Sequence, residues 1–331
     1  MSNLSIGKIR GLQQISTTGG VLVICAIDHR GSLQSAIEKE LGKKIGYREM
    51  VEYKLDICSV LAPQASAVLL DPVYGAAQSV AGGVLPGHTG LLVSLEATGY
   101  QNNPEGRVTT LLDGWSVEKI KRMGGSAVKI LLYYRPDLTK VAKKQLETVQ
   151  AVAKECIKHD LPLLVEPVSY PAGAEKADLA QFAARKPDLV IETARQITAL
   201  PIDVLKAEFP VDLNYEKDEA KALEMCRELN KVSRVPWVLL SAGVDYPTFC
   251  KQVKIACQAG ASGFLGGRAI WQEVLRFADR EQRLAYLKTT VKDRLKELVE
   301  ITTRHAVPWY RKLGIGAHEL AAVPENWYKM Y

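Results

Sequence analysis

Residues 127–169 read AVKILLYYRPDLTKVAKKQLETVQAVAKECIKHDLPLLVEPVS, and they contain one complete repeat of the pattern that predicts the fold. It begins and ends with a short, nearly continuous apolar run, 127–134 and 162–169, as parallel strands do when both faces are covered. The segment between the runs repeats apolar side chains at close to helical spacing, at Leu138, Val141, Leu146, Val149, Val152 and Ala153. The pattern predicts a strand, a helix and a second, parallel strand.

The same alternation extends in both directions along the chain. Six further apolar runs occupy residues 21–30, 67–72, 90–96, 204–210, 237–243 and 263–269. Helix-like segments follow two of them, at 216–232 and 245–260. Eight strand–helix units over about 240 residues predict an α/β fold, a single (β/α)8 TIM barrel spanning about 21–278. An open doubly wound sheet is disfavoured, because the runs number eight and no glycine-rich dinucleotide turn follows the first.

Both ends of the chain add segments to the barrel. An N-terminal helix is predicted over about 5–15 and a C-terminal helix over about 280–303. The tail after it, 307–331, has several aromatic residues and no periodicity, so it is expected to wrap the barrel or to form contacts between subunits of a homo-oligomer. We treat residues 1–331 as one domain, with the C-terminal helix and tail at 279–331.

Composition excludes several classes of protein. The 331 residues are 47% hydrophobic and 24% charged, which is ordinary for a globular protein with a large core. The net charge of +6 is scattered, which argues against a nucleic-acid partner. No apolar run reaches about 18 residues, which argues against a membrane span. The six cysteines lack CxxC spacing, and the N-terminus lacks a signal-peptide core, so a cytoplasmic location is expected.

Polar residues in the apolar runs fall mostly toward their C-terminal ends. In a (β/α)8 barrel these ends meet at one face, where functional groups lie. The residues concerned are Asp28, His29, Arg30, Asp71, Glu96, Lys129, Glu166, Lys206, Glu208, Ser241 and Arg268. Of these, Asp28, Glu96 and Glu166 are candidates for general acid and base. The sequence therefore predicts a charged site at the carboxyl end of the barrel.

Two lysines inside apolar strands, Lys129 and Lys206, are the strongest chemical signal. Lysine is rarely buried without a partner, and both burial and a neighbouring cation lower its pKa. A lysine with a lowered pKa is an amine nucleophile toward a ketone. The alternative is a structural ion pair between each lysine and a carboxylate such as Glu166 or Glu208. Two such lysines on different strands favour the catalytic interpretation.

The last two runs predict an anion site. Ser241-Ala242-Gly243 and Gly266-Gly267-Arg268 supply backbone N–H groups, close approach at Gly243 and Gly267, and one guanidinium. In many barrels the loops at these positions hold a phosphate. The alternative is that the glycines only close tight turns. Arg30 is a candidate for a second phosphate or else a solvated surface group.

The histidines do not predict a metal site. Of the five, His29 alone lies at the end of a strand, and no two have the spacing of metal ligands. We therefore expect neither a metal nor another cofactor.

Several motifs together resemble a known family. In order they are AIDHRGSL, LLDPVYG, AVKILLYY, LLVEPVSY, DVLKAEFPVDL, LSAGV and GGRAIW, and they resemble the class I tagatose-1,6-bisphosphate aldolases over about residues 5–305. The resemblance implies a Schiff base on Lys206 and active-site roles for Asp28, Lys129 and Glu166. It also implies phosphate contacts at Ser241 and Arg268. The family typically has glutamine where this chain has His29, which leaves the substrate contact at that position open.

The resemblance implies cleavage of a phosphorylated ketose, tagatose 1,6-bisphosphate, to dihydroxyacetone phosphate and glyceraldehyde 3-phosphate. Sulfofructose phosphate and fructose bisphosphate are alternative substrates on the same scaffold, since the sequence fixes neither the C4 stereochemistry nor the distal anion. Two other interpretations need no Schiff base: a phosphosugar isomerase or epimerase, and a sugar-phosphate sensor.

Overall fold

The structure is a computed structural model that describes residues 4–103, 105–316, 323, 325–329 and 331. Its strands are β1 Leu22–Ala26, β2 Ala67–Leu70, β3 Gly90–Ser94, β4 Gln101–Asn103, β5 Gly106–Val108, β6 Ala127–Tyr133, β7 Leu163–Val168, β8 Val204–Ala207, β9 Trp237–Leu240 and β10 Gly263–Gly266. Eight of them form a closed barrel in the order β1-β2-β3-β6-β7-β8-β9-β10. The barrel closes where β1 pairs in parallel with both β2 and β10. The predicted (β/α)8 barrel is confirmed.

The helices surround this barrel. They are α1 Ile6–Gln14, α2 Gly31–Leu41, α3 Tyr47–Leu61, α4 Ala76–Ala81, α5 Val117–Arg122, α6 Thr139–Lys158, α7 Leu179–Ile197, α8 Glu219–Val232, α9 Tyr246–Gln258, α10 Arg268–Trp271, α11 Arg280–Tyr286, α12 Lys292–His305 and α13 Trp309–Lys312. Helices α8 and α9 are capped by the residues just before them, Asp218 and Asp245, whose carboxylates accept from backbone N–H groups of the first turn. None of the helices in the described part of the chain has the length and apolar character that a membrane crossing requires.

The predicted terminal helices are present. Helix α1 matches the predicted N-terminal helix. The predicted C-terminal helix is α11 and α12, which a π-helical segment, Leu287–Val291, joins into one helical stretch. Such a segment inserts a wider turn into a helix without ending it.

The amino end of the barrel lumen is filled with apolar side chains. They form one buried cluster with residues of α1, of α13 and of the turn after α1: Leu12, Ile15, Leu22, Ile24, Ala26, Ala67, Leu69, Leu92, Ala127, Leu164, Val204, Val238, Leu265 and Trp309. The backbone N–H of Trp309 donates to the carbonyl of Gly20 at 2.9 Å. The Tyr331 hydroxyl accepts from the Gly7 N–H at 3.0 Å. Trp309 and the Tyr331 hydroxyl therefore contact the rest of the chain, as the first of the two alternatives predicts, whereas Trp327 and Tyr328 are exposed. Contacts between subunits stay a prediction, and residues 317–322, 324 and 330 lie outside the described residues.

A hairpin between β3 and β6 was not predicted. Strands β4 and β5 pair antiparallel, and the chain then returns to the end of β3, where the Leu112 N–H donates to the carbonyl of Leu95 at 3.0 Å. Gln145 of α6 fastens the hairpin to β6: its amide donates to the carbonyl of Tyr133 at 3.1 Å and to Thr109 Oγ1 at 3.3 Å. The hairpin thus stands at the carboxyl end of the barrel, beside β6.

Candidate active site

The ends of β1, β3, β6, β7 and β8 enclose a depression at the carboxyl end of the barrel. Its lining residues are Asp28, His29, Arg30, Ser32, Glu96, Ala97, Thr98, Gly99, Lys129, Leu131, Tyr133, Glu166 and Lys206. A larger groove lies at the opposite end, beside α1 and Trp309. We assign the site by chemistry rather than by size, because the carboxyl-end depression holds buried ionisable groups in mutual contact.

Lys129 lies at the centre of three carboxylates. Its Nζ is 2.6 Å from Glu96 Oε1, 2.8 Å from Asp28 Oδ2 and 3.0 Å from Glu166 Oε2. Burial by itself would lower the pKa of Lys129, but the three negative charges outweigh it and raise that pKa well above its ordinary value. The expectation that burial lowers the pKa of both strand lysines is therefore wrong for Lys129. This side chain is a fixed positive charge.

Lys206 has a different environment. Its Nζ lies 2.6 Å from Glu166 Oε1, and among the described residues this is its one ion pair. Glu166 therefore bridges the two lysines, one through each carboxylate oxygen. The other predicted partner, Glu208, instead accepts from the backbone N–H of Ser169 at 2.7 Å and lies 4.0 Å from the ammonium of Lys186.

The carboxylates of Asp28 and Glu166 are held in their charged form. Burial would raise the pKa of each group, yet the nearby lysines, Lys129 first, hold both pKa values below the usual range. At neutral pH the cluster therefore combines ionised carboxylates with the Lys129 ammonium. Charges of opposite sign that share a buried site compensate one another's loss of hydration.

His29 lies at the edge of this cluster as a neutral imidazole. Burial lowers the pKa of His29 to about 4, and Arg268 adds to this effect, while Asp28 opposes it. Its Nδ1 is 3.8 Å from Asp28 Oδ1 and has no hydrogen-bond partner among the described residues. The ring packs edge-to-face on Trp271, with 5.6 Å between centroids. A neutral imidazole offers one donor and one acceptor to a ligand.

The predicted anion-binding residues come together at the ends of β9 and β10. The Gly267 N–H approaches Ser241 Oγ at 3.4 Å. Gly243 has φ +74°, and a Cβ at this position would lie 3.2 Å from a guanidinium nitrogen of Arg268. Among the described residues, no side chain or carbonyl accepts a hydrogen bond from that guanidinium. Backbone N–H groups, a hydroxyl and an uncompensated arginine thus share one corner of the mouth.

Arg30 is a buried side chain rather than a solvated one. It is 8% exposed, and its Nη2 donates to the carbonyl of Glu96 at 2.6 Å. The surface alternative for Arg30 is wrong, because the guanidinium braces the end of β3 against the end of β1. It still lines the depression beside Asp28 and His29.

Comparison with known proteins agrees with this geometry. Residues 22–273 match the model of the DeoC/LacD family aldolases. Tagatose 1,6-diphosphate aldolase 1 of Enterococcus faecalis is 33% identical over 331 residues, which cover 95% of this chain and 100% of the relative. The tagatose 1,6-diphosphate aldolase of Lactococcus lactis is 31% identical and covers 92% of this chain and 98% of its own.

The chain belongs to the DeoC/LacD family of aldolases. Solved structures resemble this aldolase in fold. A fructose-bisphosphate aldolase from Plasmodium falciparum has a TM-score of 0.71 at 15% identity and covers 92% of this chain and 98% of its own. An archaeal fructose 1,6-bisphosphate aldolase has a TM-score of 0.56 at 21% identity, with coverage of 86% and 98%.

One polar strand end of the aldolase has a structural partner. Asp71, after β2, forms a buried ion pair with Lys54 of α3, and Lys54 also donates to the carbonyl of Ile27. The other oxygen of Asp71 accepts from the N–H groups of Val73 and Tyr74 at 2.9 and 2.8 Å. This pair braces the backbone just before Asp28. In the sequence, Asp71 was recognisable as a polar residue at the end of a predicted strand. That position does not distinguish a residue in a structural ion pair from a catalytic residue.

The described residues of the aldolase contain no group of three or more histidine, cysteine or acidic side chains arranged to hold a metal ion.

Tyr133 on β6 was not predicted as a site residue, but it lines the depression together with Lys129 and Leu131. Its only signal was its place at alternate spacing after Lys129 in an apolar run.

Proposed function

We propose that this aldolase cleaves a phosphorylated ketose, tagatose 1,6-bisphosphate, through a Schiff base on Lys206. The observation that carries the proposal is the difference between the two buried lysines. Lys129 forms ion pairs with three carboxylates and is kept protonated, whereas Lys206 forms an ion pair only with Glu166 among the described residues. The names of the relatives, tagatose 1,6-diphosphate aldolases, support the choice of substrate.

The first steps use Lys206 and Glu166. Glu166 accepts a proton from the Lys206 ammonium, across the 2.6 Å that separate Oε1 from Nζ. The neutral amine attacks the C2 carbonyl of the open-chain ketose and forms a carbinolamine. The protonated Glu166 then returns its proton to the C2 hydroxyl, which leaves as water. The product is an iminium, which attracts the electrons of the adjacent C–C bond.

Cleavage follows from the iminium. Glu166 takes the proton of the C4 hydroxyl, and Lys129, 3.0 Å from its other oxygen, stabilises or relays the charge. The bond between C3 and C4 breaks, its electrons pass into the iminium to form an enamine, and glyceraldehyde 3-phosphate is released. The protonated Glu166 gives its proton to C3 of the enamine, and hydrolysis of the resulting iminium gives dihydroxyacetone phosphate and free Lys206. Asp28, ionised and fixed by Lys129, is an acceptor for a substrate hydroxyl.

The remaining predicted residues bind the ends of the substrate. Ser241, Gly243, Gly267 and Arg268 receive the C1 phosphate, since they present N–H groups and an unneutralised guanidinium together. His29 and Arg30 line the depression beside the reacting carbons, and Arg30 stays a candidate for the second phosphate. We place the reaction in the cytoplasm, an assignment that the free thiols of all six cysteines support.

The test is reduction with borohydride in the presence of dihydroxyacetone phosphate, followed by peptide mass mapping. We expect one reduced adduct, on Lys206. The variant Lys206→Met should lose it, while Lys143→Met, which removes an exposed lysine of α6, should keep it.

The other outcomes would change the proposal in different ways. An adduct on Lys129 would exchange the roles of the two lysines. No adduct, with turnover of the bisphosphate intact, would overturn the Schiff-base mechanism. No adduct and no turnover, but binding of the sugar phosphate, would support the sensor interpretation.

A further inference from the structure

Arg107 of β5 lies among three tyrosine rings at the carboxyl end of the barrel. Its Cζ is 4.4 Å from the ring centroid of Tyr100, 4.6 Å from that of Tyr170 and 5.4 Å from that of Tyr133. The backbone N–H of Arg107 also donates to the Tyr170 hydroxyl at 3.0 Å, which further restrains the residue. Cation–π contacts restrain a guanidinium without consuming its N–H donors.

The charge of Arg107 is not neutralised by the described residues. None of their carboxylates or carbonyls accepts a hydrogen bond from its guanidinium. Arg135, on the adjacent loop, shows the contrast: its guanidinium bonds to both Asp137 and Glu175. A restrained guanidinium with free donors in fork geometry is arranged for a carboxylate, sulfonate or phosphate from outside the chain.

The position of Arg107 relates it to the reacting residues. Its neighbour Tyr133 lies on β6 at alternate spacing from Lys129 and Leu131, and all three line the depression. In the closed barrel β6 is four strands from β10 in either direction. Arg107 and Arg268 therefore stand on opposite sides of the mouth, with Lys206 and Glu166 on strands between them.

We propose that Arg107 binds the distal anionic group of the substrate and selects ketoses that carry one. The inference rests on the proposed function, because a ketose joined at C2 to Lys206 with its C1 phosphate near Arg268 must direct its other end across the mouth. Beyond the C4 hydroxyl, near Glu166 and Lys129, that end runs toward β6 and Tyr133. Arg30 is the rival contact, but one of its N–H groups is already committed to the carbonyl of Glu96.

The test compares two substrates in wild type and Arg107→Gln: a ketose 1,6-bisphosphate and the matching ketose 1-phosphate. We expect kcat/KM for the bisphosphate to fall about 10- to 100-fold, mainly through KM, since a charge-assisted contact is lost. For the monophosphate we expect a change below about twofold, because no group reaches Arg107. Arg107→Lys keeps the charge but not the fork, so it should lie between the two.

The matched control is Arg185→Gln. It removes an equal charge near the same end of the barrel, but from an arginine that Asp137 and Glu175 already neutralise. If both variants weaken the bisphosphate equally, a general field effect explains the result and the inference fails. It fails also if Arg107→Gln affects both substrates alike, or if Arg30→Gln alone discriminates between them.

Borohydride trapping separates this inference from the proposed function. Dihydroxyacetone phosphate carries no distal anion, so Arg107→Gln should form the same Lys206 adduct as wild type. If wild type formed no adduct on Lys206, the proposed function would be overturned. A normal adduct together with unchanged substrate selectivity in Arg107→Gln would overturn the role of Arg107 alone.

Discussion

The two ends of the barrel lumen differ sharply although the same strands build both. At the amino end β6, β7 and β8 contribute Ala127, Leu164 and Val204 to an apolar cluster. Two residues further along each strand stand Lys129, Glu166 and Lys206, which are linked by ion pairs. Residues at alternate positions point to the same face of a strand. A step of two residues therefore changes the lumen from apolar packing to a charged layer.

A buried charged site is tolerated in this barrel because the apolar end stabilises the fold and the charges are paired. The apolar end contributes packing and the transfer of nonpolar surface from water, which stabilise the fold. At the charged end, burial removes the carboxylates and ammonium groups from water, and the lost hydration free energy is offset only while these groups remain paired. Substitutions at the two ends should therefore separate activity from stability.

The largest expected effect is on turnover. Lys206→Met removes the proposed nucleophile, so kcat should fall by at least about 10⁴-fold. Stability should change little, because Glu166 keeps its contact with Lys129. Steady-state kinetics and a thermal unfolding curve measure the two quantities, with Lys143→Met as the control. Residual kcat within tenfold of wild type would contradict the role of Lys206.

The next effect is on stability at the charged end. Lys129→Met leaves Asp28, Glu96 and Glu166 without their shared ammonium, so we expect a loss of about 3–5 kcal/mol in the free energy of unfolding. Without that ammonium the pKa values of Asp28 and Glu166, which Lys129 lowers in wild type, rise, so the destabilisation should shrink as the pH falls from 8 to 5. Denaturant unfolding at the two pH values measures it. If Lys129→Met and Lys206→Met lowered the free energy of unfolding equally, the two lysines would not differ in their contribution to stability.

Substitutions at the apolar end should lower the stability of the fold and leave activity nearly unchanged, the opposite of Lys206→Met. Leu164 is fully buried in the amino-end cluster, and Leu164→Ala leaves a cavity there. We expect a loss of about 3 kcal/mol in the free energy of unfolding. The value of kcat/KM measured below the unfolding transition should stay within about twofold of wild type. A tenfold fall in a folded variant would mean that the two ends are coupled.

The smallest effect concerns His29. Its folded-state pKa of about 4 lies below the ordinary value of 6.5, so the unfolded chain binds more protons between these values, and His29 destabilises the fold as the pH falls through that window. Between pH 7 and pH 5 wild type should lose about 2 kcal/mol more than His29→Gln. Unfolding midpoints of both proteins at the two pH values provide the measurement. Parallel losses would show that the imidazole is not held neutral.

The barrel was predictable because its signal is local. Strands covered on both faces must be apolar along their whole length, and all five residues of β1 are buried, as its run predicts. The lysines were visible for the same reason, since a charge inside such a run is conspicuous. The hairpin was missed because residues 101–108, QNNPEGRV, have no apolar alternation and resemble a loop.

The partners within the site were not predictable, because they depend on register between strands distant in sequence. Lys129 meets Asp28 and Glu96 from strands that lie 101 and 33 residues away. Asp71 looks like a site residue in the sequence, yet Lys54 of a helix outside the lumen neutralises it. Only the closed barrel shows which carboxylates face Lys129 and which do not.

Leu12, Ile15 and Trp309 fill the amino end of the barrel lumen, and this affects how substrate enters and products leave. In the part of the chain that the structure describes, apolar side chains fill this end, so under the proposed mechanism ligands enter and leave at the carboxyl end. Under the proposed mechanism the ketone half stays tethered to Lys206 at depth, while the aldehyde half occupies the route to solvent. The aldehyde must therefore depart first, and water for the final hydrolysis must enter along the path that it vacates.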